Sequence, residues 1–246
     1  MNLLLYAAVL LCASGAVALV LRHDLHDREP PLAVALALLI GFLATPVLGR
    51  IEDALLFALT PLPPLTLVAA AAAVVEEGSR ALLVTLFALC DRRRFNDPMD
   101  GIVYGSLLGV GMAIFETFLY VGGDPVPLEG TLAREAVRIY GHLILGGIAG
   151  YAAGALRTGR RTAPLAMALC PLLAMALHFL LDLGSLTVAI EPGGEAAGTA
   201  LALVAVVAAT LLHGGLTVLA SERSRLLFDP GSARRLVGWP LDLLAR

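Results

Sequence analysis

Apolar stretches of about 20 residues or more recur along this chain, and their length constrains the fold more than any other feature. A helix needs about 20 apolar residues to cross a hydrocarbon layer about 30 Å thick. Seven such stretches cover residues 2–21, 32–48, 65–90, 98–121, 132–156, 164–190 and 198–220. They are rich in Ala, Leu and Val and show no alternating pattern, which argues against a transmembrane β-barrel. Charged residues make up 15% of the 246, well under the usual quarter for a soluble protein. The expected fold is all-α: a polytopic bundle of about seven membrane helices over residues 1–220.

Punctuation between the helices supports this division. Residues 1–20 lack a basic n-region and run long for a signal peptide, so they are expected to form the first membrane helix. Residues 49–64 carry Arg50, Glu52, Asp53 and the prolines Pro61, Pro63 and Pro64. This segment reads as a linker, with 55–59 a short re-entrant or interfacial turn. Asp97 before Pro98 suits a helix start, as N-cap and first-turn proline. In the tail, 221–246, Arg223, Arg225, Arg234 and Arg235 mix with Leu226, Leu227, Phe228 and Trp239. That pattern suits a segment lying on the headgroups. Arginines gather after helices 1, 3, 5 and 7, and the loops after helices 4 and 6 are acidic. The positive-inside rule then places the N-terminus outside and the tail in the cytoplasm.

Neither the charge nor the cysteines suggest other chemistry. The formal net charge is -3, all 17 basic residues are Arg, and nothing suggests a nucleic-acid surface. Cys12, Cys90 and Cys170 are too widely spaced for a metal framework and read as small buried hydrophobes.

Four of the apolar stretches contain ionisable residues at depth, each costing roughly 2.5–3.5 kcal/mol at a helix centre. They are Glu76, Glu77 and Arg80 on the third, Glu116 on the fourth, Arg138 and His142 on the fifth, and His178 and Asp182 on the sixth. Glu77 lies 15 residues from Arg92, Glu116 16 from Asp100, His142 15 from Arg157 and His178 17 from Arg161. At about 1.5 Å per residue, all four sit roughly 22–26 Å from the same side of the membrane. One layer therefore collects the acids and imidazoles. Gly101, Gly105 and Gly109 recur every four residues on one helix, as do Gly146, Gly150 and Gly154 on the next. Stripes of small residues let membrane helices approach closely, and these would carry Glu116 and His142 with them.

Blander explanations suit some of these residues. Glu76 and Arg80, one turn apart, could form a structural ion pair, which leaves Glu77 without a partner. Adjacent carboxylates repel, and their proton affinities separate as acid–base catalysis requires. Arg138 reads as structural, Asp97 and Asp100 as helix caps, and His23, His26 and His213 have no assigned role.

Taken in order, Glu76-Glu77-x-x-Arg80, Asp97-Pro98-Met99-Asp100-Gly101, Gly111-Met112-Ala113-Ile114-Phe115-Glu116, Arg138-x-x-x-His142 and His178-x-x-x-Asp182 resemble the PrsW family of intramembrane proteases. They are more distantly similar to the CAAX prenyl endopeptidase and bacteriocin-processing superfamily. The likeness covers residues 74–182, within a catalytic core expected at 65–190. It implies hydrolysis of a peptide bond in a membrane-anchored protein, of which single-pass anti-sigma factors are the known type, in a bacterial inner membrane. The resemblance maps the paired glutamates to Glu76 and Glu77 and the essential histidine to His178, with His142 and Glu116 at further family positions. Two residues depart from the pattern: Arg80 stands where Lys is common, and Thr117 where Asn is usual.

The expected mechanism has Glu76 or Glu77 drawing a proton from water, with the other glutamate or His142 protonating the leaving amine. His178, oriented by Asp182, would stabilise the oxyanion. The chain lacks His-Glu-x-x-His, which favours a version needing no cofactor. A Zn²⁺ version would use His142, His178 and Glu77 as ligands. Two other classes fit a buried Glu/His/Arg cluster: a proton or ion translocator, and a non-catalytic protein that binds membrane helices. No inverted repeat or broken-helix pair supports the translocator.

Overall fold

The computed structural model describes residues 2–24, 26–122 and 128–231, and among them every regular element is an α-helix. In order these are α1 (Asn2–His23), α2 (Pro31–Leu59), α3 (Leu65–Cys90), α4 (Pro98–Gly122), α5 (Leu128–Arg157), α6 (Ala163–Ile190) and α7 (Glu195–Phe228). Six are long and apolar enough to cross a membrane. The seventh, α3, is 26 residues long and carries Glu76, Glu77 and Arg80 in its middle. Large apolar side chains such as Leu3, Leu11, Leu43, Leu82, Leu172 and Leu211 project outward, as they do on a surface bathed in lipid. The chain is a multi-pass membrane protein.

Helices α4 and α5 form the most extensive pair and the buried centre of the bundle. Their glycines make this possible. A Cβ added at Gly101 would lie 2.2 Å from the carbonyl oxygen of Gly150, at Gly105 2.2 Å from that of Gly146, and at Gly109 2.0 Å from that of His142. Backbone therefore packs on backbone, and any side chain there would force the helices apart. The same device joins α2 to α4, where a Cβ on Gly41 would meet the Leu108 carbonyl oxygen at 2.0 Å. Around this centre α3 packs on α5 and α6, and α7 on α6 and α5.

Three expectations need correction. Helix α2 does not stop before Arg50 but runs unbroken through Pro46, Glu52 and Asp53 to Leu59, so residues 55–59 form no re-entrant turn. At 29 residues it is about 43 Å long; its last turns can leave the hydrocarbon, where charged side chains are tolerated. Helix α7 continues through Phe228, eight residues into the expected tail; residues 232–246 lie outside the described region. Of the cysteines only Cys170 is buried, with Cys12 partly so and Cys90 exposed at the end of α3.

At one end of the bundle, loops and helix ends meet in an acidic cluster. Asp97 Oδ1 accepts the backbone N–H groups of Met99 (2.5 Å) and Asp100 (3.2 Å), as an N-cap should. Asp100 Oδ2 accepts those of Asn96 (2.6 Å) and Asp97 (2.8 Å). Asp97 does more than cap, however. Ser224 of α7 donates to Asp97, and Tyr104 of α4 donates to Glu29. Asp24 accepts the Glu29 N–H at 3.1 Å. Burial pushes the Asp24 and Glu29 carboxyl groups up to about 7, and that of Asp97 above its ordinary value.

Candidate active site

Helix α3 contributes three consecutive contacts to the interior because Glu76, Glu77 and Arg80 fall within one turn of its inward face. Glu77 and Arg80 are completely enclosed, and the Glu76 side chain is 13% exposed. The Arg80 guanidinium pairs with Glu77 Oε1, lies 3.8 Å from Glu76 Oε2, and donates to His142 Nδ1 at 2.8 Å. Its Nε and NH2 both rest 3.3 Å from the Met112 sulfur.

The two histidines come from helices that reach α3 by different routes. The α4–α5 glycine seam sets His142, and α6 brings His178 against α3. Their rings meet edge to face with centroids 5.6 Å apart. An arginine can only donate, so His142 Nδ1 accepts from Arg80, and the neutral ring carries its proton on Nε2. That nitrogen faces Glu116 Oε2 at 3.1 Å. Glu77 Oε1 can only accept, so His178 Nδ1 donates to it at 2.8 Å, which makes Nε2 the nitrogen that could offer a lone pair to an ion. Asp182 Oδ2 lies 3.3 Å from that Nε2, and its side chain is 32% exposed.

Glu76 Oε2 lies 3.8 Å from His142 Nδ1, the nitrogen that accepts from Arg80, and 3.9 Å from His178 Nε2. It is buried and accepts no hydrogen bond. Glu76, His142 and His178 each offer one ligand atom within 4.8 Å of the others. Ligand atoms on a tetrahedral zinc stand about 3.4 Å apart, so these residues fit such an ion after a small contraction. Each histidine also has a carboxylate on its other nitrogen, the usual support for a metal-bound imidazole. Among the residues that could hold an ion, Glu76 stands where the sequence suggested Glu77, and Glu77 is held by Arg80 and His178.

All eight residues singled out in the sequence belong to this cluster, Arg138 at its edge. Arg138 Nε lies 3.6 Å from Glu116 Oε2, and its guanidinium covers the Tyr120 ring at 4.4 Å. Glu135, overlooked in the sequence, pairs with Arg138 and accepts from Thr117 Oγ1 at 2.7 Å, fully buried. Its i,i+3 spacing to Arg138 was the available signal. Glu52, expected in a linker, stands on α2 within electrostatic reach of Glu116, His178 and Asp182. Asp97 and Asp100 lie in the other cluster. His213 is buried against Gly147, whose added Cβ would lie 2.4 Å from Nε2, and neither of its ring nitrogens has a hydrogen-bond partner.

Comparison with known proteins identifies the family. Residues 29–213 match the family described as PrsW family intramembrane metalloprotease. Protease PrsW of Clostridioides difficile (strain 630) is 30% identical over 82 residues, 32% of this chain and 34% of that protein. Protease PrsW of Geobacillus kaustophilus (strain HTA426) is 32% identical over 80 residues, again 32% and 34% of the two chains. The chain thus spans about a third of the length of the curated relatives it matches. No solved structure matches. The family match runs from the residues before α2 to the middle of α7 and takes in every residue of the buried cluster, and on that evidence the chain belongs to the PrsW family of intramembrane metalloproteases.

Proposed function

We propose that this protein is a metal-dependent intramembrane endopeptidase that cuts a membrane-anchored protein substrate, with Glu76, His142 and His178 as metal ligands. The observation that carries this reading is Glu76 Oε2, which accepts no hydrogen bond and stands 3.8 Å from His142 Nδ1 and 3.9 Å from His178 Nε2. Their nitrogen and oxygen donors suit Zn²⁺. Bound there, zinc would supply Lewis acidity, lowering the pKa of water toward neutrality and polarising a carbonyl.

The chain's own side chains do the rest. Glu77 and Glu116 hold His178 Nδ1 and His142 Nε2, which leaves His178 Nε2 and His142 Nδ1, the nitrogens nearest Glu76, as the ones that would bind the ion. Asp182, the most exposed acid of the cluster, takes the proton from the attacking water beside His178. Water oxygen bonds to the substrate carbonyl carbon, the C–N bond breaks, and the proton passes to the leaving amine. The products are a carboxylate and an ammonium group, with both water protons on the leaving nitrogen, so the reaction balances without another reagent. A substrate helix hides its backbone in hydrogen bonds, so the scissile segment must enter unwound. With the Arg-rich helix ends in the cytoplasm, the site opens nearer the outer face, and an anti-sigma-factor-like single-pass protein is a fitting substrate.

The reading is tested by comparing membrane proteomes of cells carrying the wild type or Glu76→Gln, together with metal analysis of both purified proteins. Full-length membrane proteins that accumulate only with the variant, and zinc found only in the wild type, are the expected results. Cleavage by a metal-free, chelator-resistant wild type would instead support hydrolysis driven by the glutamates alone.

A further inference from the structure

Arg80 occupies ground that a metal ion would need. It is fully enclosed and held on every side: by Glu77, by His142 Nδ1 at 2.8 Å, by the Met112 sulfur at 3.3 Å, and by Glu76 at 3.8 Å. Room for its stem comes from a missing side chain, since a Cβ on Gly146 would lie 3.2 Å from Arg80 Cδ. This is a built position for a cation, with two carboxylates of the same helix turn supplying the countercharge.

The conflict lies at one lone pair. Arg80 NH2 cannot accept and is always protonated, so it consumes the Nδ1 lone pair of His142. A metal held by Glu76, His142 and His178 needs that same lone pair, because the other ring nitrogen of His142 faces Glu116 at 3.1 Å. One lone pair cannot serve both. Like charges at such short range also repel strongly where water is scarce.

We infer that Arg80 is a resident cation that competes with the metal for His142, so that loading requires its NH2 group to release Nδ1. This rests on the metal reading given under Proposed function. Arg80 compensates Glu76 and Glu77, which would otherwise be two adjacent buried anions. On loading, its NH1 group keeps Glu77 while the metal takes over Glu76 and His142. The arginine therefore stabilises the metal-free protein and weakens its affinity for metal.

The test is zinc affinity, measured on the purified full chain in detergent by competition with a chromophoric chelator, alongside thermal unfolding with and without zinc. Arg80→Gln is expected to bind zinc at least tenfold more tightly than the wild type. Its zinc-free form should unfold at a lower temperature and gain more on zinc addition. His178→Gln should abolish tight binding in either background, which places the ion at this site. If Arg80→Gln does not fold, Arg80→Lys replaces it: the ammonium keeps the charge but loses the fork that spans Glu77 and His142, and zinc should still bind severalfold more tightly. Equal or weaker binding by the variant, with the wild type loading zinc, overturns the role of Arg80 and leaves the metal reading intact. Absence of zinc binding in the wild type and both Arg80 variants overturns both.

Discussion

Glu77 Oε1 and His178 Nδ1 are joined at 2.8 Å across 101 residues of sequence, in a hydrogen bond with no access to solvent. The bond orients the imidazole so that its second nitrogen points at Glu76. The two adjacent glutamates therefore have different jobs, one offering an unpartnered oxygen and the other holding a histidine. Glu76→Gln should lose zinc binding entirely, whereas Glu77→Gln should lower affinity by about 10–100-fold, the usual cost of removing an outer partner. Chelator competition on the two variants reads the difference, and equal losses would refute the division of labour.

Glu135, fully buried, pairs with Arg138, whose side chain is 17% exposed and also lies 3.6 Å from Glu116. Breaking a fully buried pair costs about 3–5 kcal/mol; Arg138 keeps Glu116 and some contact with solvent, so the loss here should be smaller. Glu135→Ala should therefore lower the unfolding temperature more than Arg134→Ala, whose side chain is 56% exposed. Thermal unfolding in detergent compares them directly. A double variant, Glu135→Ala with Arg138→Met, should recover part of the loss, and failure to do so would argue that the pair is not the source.

The α4–α5 seam gives a prediction about fold and site together. Gly105→Ala would place a methyl group 2.2 Å from a backbone oxygen, a contact that only helix separation can relieve. Overpacking of this kind typically costs about 1–3 kcal/mol. Because Gly109 abuts His142 itself, Gly109→Ala should in addition weaken zinc binding, while Gly15→Ala, with open space around it, should change neither property. A seam variant as stable as the wild type would show that the helices are not in backbone contact.

The acidic cluster at the far end predicts a pH dependence. Burial, aided for Asp24 by the charges of Glu29 and Asp97, lifts Asp24 and Glu29 to about 7 and raises Asp97. Asp27 from the same loop, with Asp100 and Tyr104 from α4, faces these groups. In the unfolded chain such carboxyl groups lose their protons near pH 4. Between about pH 4 and 7 the folded protein thus holds protons that the unfolded chain has released, and stability falls as pH rises through that window. The unfolding temperature should drop from pH 5 to pH 8, and Asp24→Asn should flatten the profile. A flat wild-type profile would contradict this assignment.

Much of this protein was legible in the order of its residues. Apolar runs long enough to span hydrocarbon determine a helical membrane bundle, because backbone polar groups in lipid must be satisfied within each segment. Ionisable residues inside such runs are costly enough that Glu76, Glu77, Glu116, His142 and His178 stood out, and their equal spacing from the helix ends already suggested one shared layer. Glycine periodicity marked the face on which α4 and α5 meet. The tertiary structure decided what periodicity cannot express, namely which atom faces which. Only packing showed that Glu76, not Glu77, lies between the two imidazoles, that Glu135 supports Arg138, and that Arg80 spans α3, α4 and α5 to reach both Met112 and His142. Neighbouring positions on a helix point about 100° apart, so two adjacent glutamates that look alike in the sequence meet different partners once the helices around them are in place.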